Sequence, residues 1–448
     1  MARIDFSALL AEASASGAVP GVWWGQGAGE PVSLVDSLLD TLADPASGLE
    51  RVRAFSGLSL NPRLGRDLPD GLEMESYGAL GQLRKVAAAG RLEVIPANYS
   101  ALPRLFAQGR LPADVGMVQV SPPNRNGEVS LGVAVDYFGD AIGSTRMLIA
   151  EINHAMPFLE DAPRLPLSAF AATVEVDRPL AEMDHRAPDE VDLAIAAHVA
   201  GMVEDGDTLQ IGVGTLPNAV LQALSGHRDL GIHSGMITDG VLDLIESGVA
   251  TGARKEIDSG VAVTGSALGS AGLYRRLGEQ QGRRQDDGLD VSFRPASYTH
   301  DPAVLSRLGS LVSINSALEV DLSGQVGSER VGGRFLGAIG GQADFSRAAA
   351  LTGARSIIAL RSTSRGASTI RPELDGGLVA TARADVDVVV TEHGAAVLTG
   401  LTERARARAL IAIAAEEHRD ELACAADLQT NQTSQTNQYN QSNAEVPA

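Results

Sequence analysis

Cysteine is nearly missing: Cys424 is the one cysteine in 448 residues. A single thiol excludes an intrachain disulfide, and a thiolate metal site needs more ligands than it can supply. Aromatic residues make up only 4% of the chain, so its layers must pack through the abundant Ala, Gly, Val and Leu. Basic residues are outnumbered, 36 Lys and Arg against 56 Asp and Glu, which gives a formal charge of −20. That balance argues against nucleic acid and membrane as partners, because both need a basic footprint to displace counterions. The acidic residues are scattered along the chain, the pattern of a solvated surface. No apolar run reaches the roughly eighteen residues of a membrane span. The opening Met1–Ser14 lacks the basic and then apolar order of a signal peptide, so a cytoplasmic protein is expected.

The familiar catalytic signatures are missing too. There is no Gly-x-Ser-x-Gly elbow, no His-Glu-x-x-His helix and no Walker lysine loop. Eight histidines are scattered, with His227 and His233 the closest pair, so no metal site is expected.

What is present is a globular composition, 44% hydrophobic and 21% charged, in a chain long enough for two or three domains. Short β-branched runs such as Gly116–Val120, Thr208–Ile211, Leu311–Ile314 and Val386–Val390 alternate with amphipathic stretches. The helical stretches include Pro31–Leu42, Pro188–Val203, Pro217–Leu224 and Thr402–His418. This alternation predicts an α/β fold with mostly parallel sheets, and the unbroken apolar strands predict burial on both faces. Gly25–Pro31 and Gly212–Pro217 both read as strand, glycine turn, proline in the first helical turn, then helix. Two related lobes are therefore expected, 1–187 and 188–424, joined near the polar Met183–Pro188. Residues 425–448 are rich in Gln, Asn and Thr, with little to bury, and are expected to form a disordered tail.

Gly212 and Gly214 are the best ligand site readable from residues alone. Glycines let backbone N–H groups approach a ligand, and the following helix N-terminus favours negative charge. Asn315 at a strand end, the pair Gly340 and Gly341, and Thr391–Gly394 are further loops beyond strands. In open parallel sheets ligands sit beyond the carboxyl ends of strands, so these loops could converge. Taken singly, each is an ordinary turn.

Several ordered segments resemble the acetyl-CoA hydrolase/transferase family of class I CoA-transferases. They are Val120–Gly127, Ser130–Gly132, Ala150–Pro157, Leu209–Gly214, Leu230–Met236, Ile314–Asp321, Ile339–Phe345, Ile358–Thr363 and Val390–Gly394. The resemblance runs from about Asp36 to about His418. It implies two homologous open α/β lobes with the active site between them, in a homo-oligomer, most simply a dimer. It also implies coenzyme A as part of an acyl-CoA substrate, a small carboxylate as acceptor, and no metal.

The family's nucleophile is a glutamate that forms a glutamyl-CoA thioester and so divides one difficult transfer into two easier ones. Here the matching segment reads Ile232-His-Ser-Gly-Met-Ile237, which places Gly235 at the nucleophile's position. Gly212, Gly214, Asn315, Gly340, Gly341 and Glu392 match pocket positions, and His233, Ser234 and Met236 flank the glycine. Gln342 and Gly394 complete the matched pocket segments. The resemblance makes Asn315 an amide donor to a thioester oxygen, a role that can be worth about 3 kcal/mol in the transition state. Glu392 with His393 is the better candidate for a substitute, because histidine supplies a base near neutral pH, and His233 and Ser234 beside Gly235 are further candidates. Glu319 is expected to be structural.

Three readings are open. In the first, water or a nucleophile within the substrate attacks the bound thioester, by hydrolysis or cyclisation. In the second, the chain is a conventional ping-pong CoA-transferase. In the third, it is a non-catalytic acyl-CoA-binding partner of an active paralogue.

Overall fold

The computed structural model describes residues 4–15, 17–183, 186–280 and 290–427. Two open sheets organise the chain. The first is built from β1 (Gly21–Trp24), β2 (Val52–Phe55), β3 (Leu72–Ser76), β4 (Leu92–Val94), β5 (Val115–Val120), β6 (Met147–Asn153) and β7 (Phe170–Val176). Its spatial order is 4-3-2-1-5-6-7, and every pairing is parallel. Val115–Val120 shows why: all six residues are buried, as a central strand covered on both faces must be.

The second sheet repeats this order. Its strands are β8 (Thr208–Ile211), β9 (Gly231–Ile237), β10 (Val261–Ala267), β11 (Asp290–Phe293), β12 (Leu311–Ser316), β13 (Arg355–Ala359), β14 (Val388–Thr391) and β15 (Gly394–Val397). They run 11-10-9-8-12-13-14-15, parallel except for the terminal β14–β15 hairpin. Both sheets reverse direction of growth at their first strand, between β1 and β5 and between β8 and β12.

Four helices stand next to the glycine turns or the space between the sheets: α1 (Val32–Ala43), α2 (Thr215–Ala223), α3 (Ala296–Thr299) and α4 (Gln342–Thr352). Helix α2 begins two residues before Pro217, and the expected stretch Thr402–His418 is shorter, Glu403–Ala412, followed by a separate turn at Glu416–His418. Part of the Met183–Pro188 junction and most of the expected tail lie outside the described residues. The first tail residues, 425–427, instead close a helix that begins at 419, anchored by buried Leu422.

The two sheets are laced together directly. Ala79 N donates to Gly337 O at 2.9 Å, Tyr99 N to Gly340 O at 3.0 Å, and Ala267 N to Val133 O at 2.7 Å. Ser100 gives its N–H and hydroxyl to the two oxygens of Asp344 on α4 (3.0 and 2.6 Å). One apolar core runs continuously from Phe55, Phe106 and Tyr137 of the first half to Ile232 and Val241 of the second. The loop 337–341 is thereby fixed against the first sheet, and a cleft is left between them.

Candidate active site

The cleft has a volume of about 320 Å³, within the range of small-molecule sites. Its floor is the carboxyl end of β8, β9 and β12, where the second sheet changes its direction of growth. This is the place where open α/β sheets hold ligands. Gly212, Ser234, Gly235, Met236, Asn315, Gly340, Gly341 and Gln342 line it, so the structure brings eight of the expected site residues together. The opposite wall comes from the first half: Gln26, Tyr77, Tyr99 and Asp136.

The expected glycines differ in kind, and Gly214, unlike Gly212, is not in the cleft lining. A methyl added at Gly212 or Gly214 would meet nothing nearer than Pro217 at 3.9 Å, and one at Gly340 would meet nothing within 4 Å. Their faces are open to a ligand. Gly214 also has φ of 128°, a conformation that favours glycine, and it leads into α2, whose first N–H groups lack intrahelical partners. Gly235 is closed. Its added methyl would lie 2.8 Å from Cε1 and 2.9 Å from Nε2 of His300, and one at Gly341 would lie 2.4 Å from the same Nε2. The His300 ring therefore stands against the backbone where the resemblance places a glutamate side chain.

Asn315 is more constrained than the sequence suggested. Its Nδ2 donates to Gln210 Oε1 and to Ser313 Oγ, both at 2.9 Å, while its Oδ1 accepts from Gln210 Nε2 at 3.1 Å. An amide has two N–H donors, and both are engaged inside the protein. Asn315 thus shapes the floor as half of an amide pair and has no N–H left for a thioester oxygen. Gln342 is similarly occupied, accepting from Ser328 Oγ (3.1 Å) and donating to Thr381 Oγ1 (3.0 Å).

Other expected residues are not in the cleft lining. His233 is fully buried behind β9, with Nε2 bonded to Thr299 O at 3.1 Å. Burial lowers its pKa to about 3, so it stays neutral. Glu392 and His393 form the turn of the β14–β15 hairpin, with Gly394 at its far side. That hairpin lies two strands beyond β12, roughly 10 Å away at the usual strand spacing. The Glu392 carboxylate is held there by Ser362 N (2.9 Å) and Ser362 Oγ (2.6 Å). Glu319 accepts from Asp375 N at 2.6 Å and lies near Arg371, outside the cleft.

Sequence reasoning missed His300 and the whole first-half wall. Asp136 is the one carboxylate among the described residues that line the cleft. Its φ of 41° is unusual for a non-glycine residue, and the turn is pinned to the other half by Asp136 N to Gly265 O and Ala296 N to Asp136 O. Gln26 Nε2 donates to Asp136 Oδ2 at 3.0 Å and to Tyr99 Oη at 2.9 Å. Burial, opposed by that bond from Gln26, raises the Asp136 pKa to about 6. No sequence motif announced these residues; only the pairing of the two halves assembles them.

The fold matches known proteins along nearly the whole chain. Residues 18–168 match the acetyl-CoA hydrolase/transferase N-terminal domain, and residues 269–426 match its C-terminal domain. The chain belongs to the acetyl-CoA hydrolase/transferase family. It is 38% identical over 402 residues to the 4-hydroxybutyrate coenzyme A transferase of Clostridium kluyveri, covering 88% of this chain and 90% of that one. It is 33% identical over 406 residues to a succinyl-CoA:acetate/propanoyl-CoA:succinate CoA transferase of Fasciola hepatica, covering 89% and 83%. Among solved structures, RipA from Yersinia pestis superposes with a TM-score of 0.84 at 33% identity, covering 95% of this chain and all of that one. Among the described residues, no helix is long and apolar enough to cross a membrane, and no group of three or more His, Cys, Asp or Glu is placed to hold a metal.

Proposed function

We propose that the cleft binds the thioester end of an acyl-CoA and that water, or a nucleophile carried by the substrate, attacks the thioester carbonyl directly. The products are CoA and either a free acid or a cyclic lactone or lactam. The acyl-CoA is a substrate here, not a resident cofactor. The observation that carries this reading is position 235. It offers only backbone, and the space beside it is taken by the His300 ring, while Gly212, Gly214 and Gly340 leave the approach open. A cleft that holds the acyl chain against its attacker supplies much of the barrier reduction by orientation.

The test is release of free thiol from a panel of acyl-CoAs by the purified chain. No release across the panel sinks the reading. Trapping with borohydride and intact-mass analysis then separates direct attack from covalent relay, since direct attack leaves no CoA adduct on the protein during turnover.

One observation favours a second reading, ping-pong transfer of CoA to a small carboxylate. Asp136 brings a buried carboxylate to the cleft wall. That route requires a covalent CoA adduct on Asp136, which the same trapping experiment detects.

A further inference from the structure

His300 ends α3 and is followed by Asp301 and Pro302, where the Asp301 carboxylate caps the next turn through Ala303 N and Val304 N (2.7 and 3.1 Å). The ring is 4% exposed and faces the cleft. Tyr99 packs on it with centroids 4.6 Å apart, Phe345 meets it edge-on at 4.9 Å, and Gly235 and Gly341 lie beside its Nε2 edge without a side chain to cover it. A ring fixed this way keeps one orientation when a substrate arrives.

Its hydrogen bonds select the tautomer. Thr299 Oγ1 lies 2.8 Å from His300 Nδ1 and donates to Pro295 O at 3.3 Å. A hydroxyl has one proton to give. Both contacts are hydrogen bonds only when Nδ1 carries the ring proton and donates to Thr299 Oγ1, which leaves a lone pair on Nε2. Among the described residues no hydrogen bond reaches Nε2, on a ring that lines the cleft. Burial, with a smaller contribution from His233, lowers the ring's pKa, so the resting imidazole is neutral and would hold a proton only in transit.

We propose that His300 is the catalytic base of this cleft, its Nε2 taking the proton of the water or substrate hydroxyl that attacks the thioester. The assignment rests on the direct-attack reading and supplies the residue which that reading lacks. As the oxygen bonds to the carbonyl carbon, its proton passes to Nε2 and a tetrahedral oxyanion forms. Collapse of the oxyanion breaks the C–S bond, and the Nε2 proton moves to the departing sulfur. The ring returns to neutral; thioester and water have become acid and thiol, with no other reactant. The Tyr99 and Phe345 walls shield the ring from bulk water.

The experiment uses the full chain with acetyl-, butyryl- and 4-hydroxybutyryl-CoA, following thiol release, and the variants His300→Gln and His300→Asn. Glutamine places an amide near the position of Nε2 but cannot take up a proton. Loss of a positioned general base should lower kcat by about 10²- to 10⁴-fold, with KM and the affinity for a thioether analogue of the best substrate within about threefold. A folded His300→Gln that keeps kcat within threefold of the parent overturns the assignment while leaving the direct-attack reading in place. Loss of analogue binding with kcat retained also overturns it, since that is the signature of a packing residue. No thiol release by the unaltered chain overturns the reading of the site itself, and the assignment with it.

Discussion

Restoring a glutamate at position 235 should fail as a single substitution and succeed only when His300 is cut back. Gly235 has an ordinary backbone conformation, so a side chain there meets no φ penalty. Replacing glycine at such a position even gains roughly 0.4–1 kcal/mol by restricting the unfolded chain. The obstacle is steric. The first side-chain carbon would sit 2.8 Å from His300 Cε1, where ordinary contact begins at 3.4 Å. The ring cannot retreat, because Tyr99, Phe345 and Gly341 bound it and Thr299 holds Nδ1. Forcing a carbon into a filled site costs about 1–3 kcal/mol, and Glu adds the burial of a carboxylate. The steric term therefore outweighs the entropic gain.

Urea denaturation of the parent, Gly235→Glu, His300→Ala and the double variant measures this. The double variant should be more stable than the sum of the single effects by about 0.5–3 kcal/mol, the range for residues in contact. CoA transfer from butyryl-CoA to acetate should be undetectable in Gly235→Glu and present in the double variant. Additivity within about 0.5 kcal/mol, or equal transfer by both glutamate variants, refutes the claim that His300 fills this space.

The buried imidazole has a pH signature in stability. The His300 pKa is depressed from 6.5 to about 3, so its contribution is present above pH 6.5 and lost as pH falls from there toward 3. At pH 5 the unfolded chain gains about 2 kcal/mol from protonating this residue that the folded chain forgoes. The fall in unfolding free energy between pH 8 and pH 5 should therefore shrink by about 2 kcal/mol in His300→Gln; an unchanged fall contradicts a neutral buried ring. Asn315→Ala should destabilise the fold by about 1–3 kcal/mol, because it strips partners from buried Gln210 and Ser313. Chemical denaturation reads that out, and an unchanged midpoint would mean the amide pair does not hold the cleft floor.

Most of the architecture was legible because it is written in local pattern. Val115–Val120 is apolar but for Gln119, and every residue of it is buried, as a strand covered on both faces requires; Thr208–Ile211 is also buried throughout although it carries Thr208 and Gln210. The glycine turn ahead of α2 was legible for the same reason, as strand, glycine and helix succeed one another within a few residues. The cleft was legible only on its floor. Gly212, Ser234, Gly235 and Asn315 lie toward the carboxyl ends of β8, β9 and β12, and strand ends can be counted along the chain. Gln26, Tyr99, Asp136 and His300 reach the site through contacts between halves, which no short window of sequence contains. Glu392 and His393 show the converse error. Their strand end is real, but topology places β14 two positions from β12, and order within a sheet is not a local property.

The repeated topology explains why the site is one-sided. Both sheets begin with a strand, a glycine turn and a helix, and both turns lie where the direction of sheet growth changes. In the first half the turn has been filled. A methyl at Gly25 would lie 2.5 Å from Gly29 O and one at Gly29 would lie 2.7 Å from Ala134. Glu30 is buried beside it, accepting from Ser59 Oγ at 2.6 Å and from the N–H groups of Leu60 and Asn61. In the second half the equivalent glycines are open, and the first half covers them with Gln26, Tyr99 and Asp136. One copy of the turn thus became packing and the other kept room for a ligand. Residue 235 lies on β9 beside the open turn but is itself closed by the His300 ring, so that ring bounds the room the turn leaves for a ligand.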